Sequence, residues 1–196
     1  MLKKKNWFYS LLLSASRLVD HIIKDRKKLF FLFIIGLLGL FLIKEFKGIF
    51  YLLILIGLGA VSMIYIRFFN FAHYIGFELC MMATVLSTLR FGSSVGAFVG
   101  FSSITLALII SGYFKPTYFI SVIALPLVAI LVPLFGSLNL WQLGLLMTLI
   151  YDLIVLPLYI LMGSRVISSI VFFITHMISN YWIFRTLAPL IIRIFS

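Results

Sequence analysis

From residue 29 onward the chain is a series of apolar runs separated by short polar or Gly/Pro breaks, at roughly 29–43, 49–66, 71–89, 94–114, 117–135, 139–162 and 166–187. About 20 helical residues cross the hydrocarbon core of a bilayer, so most of these runs are long enough to be transmembrane helices. The first is shorter and is expected to tilt, to thin the bilayer locally or to form a hairpin with the second. Charge and proline set the boundaries. Lys44, Glu45 and Lys47 cannot lie in hydrocarbon, Arg67 and Asn70 mark a second interface, and Lys115 followed by Pro116 ends one helix and starts another.

The opening stretch has a different periodicity. Between residues 7 and 28, Leu11, Leu12, Leu13, Leu18, Val19, Ile22 and Ile23 alternate at helical spacing with Ser10, Ser14, Arg17, Asp20, Lys24 and Lys27. One face is apolar and the other basic, as in a helix that lies along a membrane surface. The pattern as a whole predicts an all-α, polytopic transmembrane bundle of six or seven helices at 29–196, preceded by a basic amphipathic interfacial segment at 1–28.

Composition excludes a soluble domain, with 64% hydrophobic residues, 11% charged residues and a mean hydropathy of +1.24. The net charge of +11 does not point to nucleic acid, because eight of the sixteen Lys and Arg residues precede Leu29 and form no stripe on a polar domain. They form a juxtamembrane basic segment, and the expected partner is the lipid bilayer. No small-residue cleavage site follows the first apolar run, so the N-terminus is expected to be retained. With seven crossings, the N-terminal side holds those eight cations plus Arg67, Lys115 and Arg165, against Lys44, Lys47, Arg90, Arg185 and Arg193 opposite. The positive-inside tendency then predicts a multi-pass protein of the cell membrane with a cytoplasmic N-terminus, and leaves six or seven spans open.

Loops this short leave no room for a soluble catalytic module, so chemistry must sit within the bundle or at its faces. Gly92, Gly96 and Gly100 form a GxxxGxxxG ladder in the fourth apolar run, where another helix, internal or from a partner, can approach closely. A leucine at Gly96 is therefore expected to disrupt the bundle far more than one at Gly144. Glu78 and Asp152 are the acids within predicted spans, and an ionisable group at that depth needs a partner or a water-filled cavity. His73 lies about one and a half turns before Glu78, and Gln142 ten residues before Asp152. His176 and Asn180 share a helix face at i and i+4, beside Thr175 and Ser179. His73, Glu78, Gln142, Asp152, His176 and Asn180 are the candidate ligand-binding residues, with interhelical hydrogen bonding as the alternative role.

The three histidines are scattered without metal-ligand spacing, no HExxH or GxSG element is present, and the single cysteine, Cys80, cannot form an internal disulfide. No metal, cofactor or catalytic residue is expected.

The stretch 76–189 resembles the S-components of energy-coupling-factor transporters and the related rod-shape protein MreD, chiefly through Gly76-Phe77-Glu78-Leu79, residues 84–90, and the glycine-rich run from Phe91 to Gly100. The transporter resemblance implies a six-helix bundle that binds a vitamin or ion near the outer face and docks on a membrane coupling subunit. The alanine-rich docking motif has Gly57, Gly59 and Ala60 as its nearest substitutes. The MreD resemblance implies a scaffold that binds other membrane proteins of the cell-shape machinery and no ligand. Separately, Phe172 to His176 followed by Asn180 is similar to the FxxxH and HxxxN elements of CAAX-type intramembrane proteases. The paired-glutamate element of that family has no counterpart, since Leu79 follows Glu78.

Overall fold

The computed structural model describes residues 30–31, 33–37, 39, 46–69, 74–112 and 115–195. The chain divides into two units, Met1–Lys47 and Gly48–Ser196. In the first, the described positions from 30 to 39 are helical and expose Phe30, Phe31 and Phe33. The expected interfacial helix at 1–28 and the candidate His73 lie outside the described residues.

The second unit is built from α1 (Lys47–Ser62, entered from the last residue of the first unit), α2 (Cys80–Phe91), α3 (Ser93–Ser111), α4 (Tyr118–Leu131), α5 (Leu140–Leu161), α6 (Val166–Trp182) and α7 (Ala188–Phe195). Five stretches are long and apolar enough to cross a membrane: Lys47–Arg67, Ser93–Ser111, Tyr118–Phe135, Leu140–Leu161 and Val166–Phe195. This is the architecture of a multi-pass membrane protein. The outward stripes have helical spacing, Phe119, Ile123, Leu127 and Ile130 on α4 and Ile167, Ile170, Ile174 and Ile178 on α6. Exposed apolar stripes of this length suit acyl chains as their solvent.

The helix α2 is the hub. It packs against α3, α4, α5 and α7, and every residue from Cys80 to Thr88 is buried. A helix enclosed all round must satisfy its own polar side chains. Thr84, Ser87 and Thr88 do so by donating their hydroxyls to the carbonyls of Cys80, Ala83 and Thr84, one turn back, at 2.7, 2.6 and 2.7 Å. The turn into α3 needs a left-handed residue, which Gly92 supplies at φ 89°.

The glycine ladder is therefore shorter on the helix than the spacing suggested. Gly92 precedes α3, while Gly96 and Gly100 press on α2, where an added Cβ would lie 1.8 Å from Thr88 Oγ1 and 2.7 Å from Thr84 Oγ1. Gly144 is equally confined, because a Cβ there would lie 2.2 Å from the Phe184 ring. The expected contrast between Gly96 and Gly144 does not hold: an isolated glycine can be as tightly packed as a periodic one.

Two other boundaries differ from the hydropathy pattern. The run at 71–89 is not one helix, since residues 75–79 are non-helical and α2 begins only at Cys80. The run at 166–187 continues to Phe195, and a π turn at Ile183–Leu187 carries the helix into Pro189. A wider turn moves the carbonyl one turn back away from the proline ring, which lacks an N–H to meet it.

One end of the unit is fixed by contacts among α1, the α2–α3 turn and α7. The Tyr51 ring lies 5.9 Å from Phe91 and 5.0 Å from Phe195, and Arg90 sits over Tyr51 and donates to the Phe195 carbonyl at 2.9 Å. The end of α1, the α3–α4 connection and the α5–α6 connection lie at the opposite end. Residues 48–195 thus pass through the bundle an even number of times, with 75–79 and α2 together making the second pass.

Candidate functional site

The break at 75–79 lays non-helical backbone against α6 at His176, within a stretch long and apolar enough to cross a membrane. In such surroundings each unpaired amide or carbonyl is costly. The chain supplies partners from α6, from the end of α1 and from the 3-10 turn that follows α1 at Ile64–Arg67. Gly76 N–H donates to Thr175 Oγ1 at 2.9 Å, and Leu79 N–H donates to Ser62 Oγ at 3.0 Å. The Tyr65 hydroxyl points at the carbonyls of Ile75 and Phe77, at 2.8 and 3.0 Å. Only glycine fits at residue 76, since a Cβ would lie 2.4 Å from His176 Cβ and 2.7 Å from its Cα.

The segment ends by aiming Glu78 at the start of α2. Its carboxylate accepts from the backbone N–H groups of Cys80 and Met81, which have no partner within the first turn of the helix. The same carboxylate meets His176, with Nε2 to Oε1 at 3.2 Å, and the other ring nitrogen, Nδ1, meets Asp152 Oδ1 at 2.8 Å. Both ring nitrogens face carboxylate oxygens. Two such hydrogen bonds require either the doubly protonated ring or a proton on one carboxyl. With the ring charged and both acids ionised, the cluster keeps one negative charge.

The sequence candidates divide accordingly. Glu78, Asp152 and His176 form one buried cluster across the 75–79 segment, α5 and α6, with Asp152 and His176 fully enclosed. Asn180 is buried one turn further along α6 and donates to the His176 carbonyl at 3.1 Å. Asp152 Oδ2 and Asn180 Oδ1 have no hydrogen-bond partner, so the cluster retains unused acceptors. Gln142 belongs elsewhere. It pairs with Asn139 in a capping box at the start of α5, ten residues and so about 15 Å along the helix from Asp152. His73 is outside the described residues.

A cavity of about 600 Å³ opens beside this cluster, toward the end of the unit that carries the α3–α4 and α5–α6 connections. Glu78 is at its wall, Tyr65, Phe77, Tyr118, Tyr151, Tyr159 and Phe172 are among its lining, and Lys115 and Arg165 border it. The Tyr151 hydroxyl donates to Ser121 Oγ at 2.8 Å, and Ser121 Oγ lies 2.6 Å from the Tyr159 hydroxyl. Behind this wall, the Tyr151 and Phe172 rings stand 5.6 and 5.1 Å from His176, which does not itself line the cavity. Size, aromatic lining and a few convergent polar groups suit a single small organic molecule. Sequence reasoning missed Tyr65, Ser121 and Tyr159. Their one signal is a polar group interrupting an apolar run, and nothing in the spacing shows that Ser121 and two tyrosines of α5 converge.

In comparisons with known proteins, no family model, no curated protein and no solved structure matches this chain.

Proposed function

We propose that this chain is a small-solute-binding subunit of a membrane transporter, resembling the S-components of energy-coupling-factor transporters, and that its solute occupies the cavity beside Glu78. The observation that carries this reading is the interrupted span at 75–79. Irregular backbone at bilayer depth is tolerated where it is enclosed in protein or lines a cavity, and transporters place binding sites at such broken helices. Here the break lines a cavity of about 600 Å³ and delivers a buried carboxylate to its wall.

The cavity faces outward in this proposal. The even number of passes puts Lys47, Arg90, Arg185 and Arg193 at one end, and Arg67, Lys115 and Arg165 at the cavity end. If the run at 29–43 does not cross, Lys44 and the eight N-terminal cations join the first group by sequence, giving thirteen against three, and the positive-inside tendency makes that end cytoplasmic. A membrane coupling subunit would then dock from the side away from the cavity mouth, and the chain itself is not an enzyme.

Purification from native membranes followed by mass spectrometry tests this. A released small molecule together with an ATPase-linked membrane partner is the expected result. Shape or division proteins without a ligand would replace it by the MreD-like scaffold. The CAAX-type protease reading draws on Glu78 and His176 lying within 3.2 Å of each other. It is disfavoured because His176 is fully enclosed, with both ring nitrogens engaged. Peptide cleavage that depends on His176 would restore it.

A further inference from the structure

We infer that the solute of this cavity is amphoteric: an elongated molecule bearing an aromatic ring, with a basic or strongly donating nitrogen directed at Glu78 and an anionic group directed at Lys115 and Arg165. The inference rests on the binding-subunit reading and specifies its ligand class. Three charged side chains line the cavity among the described residues, one acidic and two basic, and they are separated along the bundle axis. Glu78 is level with His176 on α6, whereas Arg165 immediately precedes that helix, eleven residues and about 16 Å away along its axis. Lys115, at the α3–α4 connection, is on the same side as Arg165 and, like it, exposed. The acid is therefore at the inner wall and the bases at the mouth.

This arrangement discriminates against singly charged solutes. A simple cation passing inward meets two like charges at the mouth. A simple anion meets at the inner wall a cluster in which two carboxylates share one imidazole, so that with all three groups ionised a net negative charge opposes it. The Glu78 carboxylate is held in place by the Cys80 N–H at one oxygen, the His176 ring at the other and the Met81 N–H shared by both, and so fixed it borders the cavity. The aromatic wall between the charged ends favours a flat ring, through stacking and edge-to-face contacts and through attraction of a cationic nitrogen to the ring faces.

The test is the identity of what the protein carries. Wild type, Glu78→Gln and the double variant Lys115→Gln/Arg165→Gln are purified in lipid nanodiscs, and released small molecules are compared by mass spectrometry with those from an unrelated helical membrane protein. The expected result is enrichment of compounds carrying both a basic nitrogen and an acidic group, falling at least tenfold in each variant. A wild-type ligand lacking either group, or one without an aromatic ring such as a phospholipid, overturns the inference and leaves the binding-subunit reading intact. So does full retention of an amphoteric ligand by either variant. If wild type enriches nothing over the control, the binding reading fails and this inference with it. Glu78 also caps α2, so Glu78→Gln is scored only alongside an unchanged melting curve. The double variant alters exposed side chains at the mouth and remains decisive if Glu78→Gln does not fold.

Discussion

Replacing Gly76 by alanine tests whether the break at 75–79 is built against α6 as described. The new methyl would sit 2.4 Å from His176 Cβ, 2.7 Å from its Cα and 2.8 Å from its backbone nitrogen. Two of those three atoms are helix backbone and cannot swing aside, so the segment must move off α6. Overpacking of this kind costs about 1–3 kcal/mol. Losing the Gly76 to Thr175 hydrogen bond adds about 0.5–1.5 kcal/mol, while the stiffer unfolded chain returns about 0.4–1 kcal/mol. The net is a loss of about 0.5–4 kcal/mol, or roughly 1–16 °C in melting midpoint for a chain of this size. Cys80, the single cysteine and fully buried, provides the assay, since a thiol-reactive fluorophore reports it only as the bundle opens. Gly57→Ala is the control. It lies within α1 with nothing within 4 Å of its added Cβ, and should be neutral or slightly stabilising. Equal midpoints for the two variants would refute the close approach of this segment to His176.

Gly96→Leu and Gly144→Leu should both lower the melting midpoint by at least several degrees, because each added side chain meets a packed neighbour, Thr88 in one case and Phe184 in the other. Tolerance of either in the same assay contradicts the packing at that helix pair. His176→Ala removes the group between Asp152 and Glu78 and should destabilise by about 3–5 kcal/mol, more than Asn180→Ala does. The ranking is read from midpoints measured side by side. Tyr65→Phe withdraws the hydroxyl from the Ile75 and Phe77 carbonyls at a cost of about 1–3 kcal/mol. It should raise hydrogen exchange at residues 75–79 selectively, and a uniform increase across the bundle would argue against a local role. With Cys80 replaced by alanine, a cysteine at position 165 should react with an impermeant reagent from outside and one at position 193 only from the cytoplasm. The reverse pattern would turn the cavity toward the cell interior.

Hydropathy made most of the bundle legible because the long apolar runs must be helices in lipid, and the ends of α3, α4 and α5 fall where charge, proline and glycine interrupt them. It failed where a helix is stopped by one side chain rather than by composition. Glu78 caps the N-H groups of α2, so the helix starts at Cys80 although the residues before it are just as apolar. The same carboxylate explains why part of the candidate set could be named in advance. An acid in an apolar run must find a partner, which singled out Glu78, Asp152 and His176 but did not say that one imidazole would join both acids. That junction depends on residues separated by 98 positions and by 24 positions along the chain, and on a glycine small enough to let the broken segment lie against α6. Gln142 was misplaced by the same logic applied without geometry: its polarity within an apolar run is used up locally, in the capping box that begins α5. A polar residue at a helix end is satisfied by its own backbone. A short hydroxyl in mid-helix can turn back to its own helix as well, but an ionisable group there must reach another segment. In this chain Asp152, His176 and Glu78 meet behind the cavity wall, which Glu78 alone of the three lines.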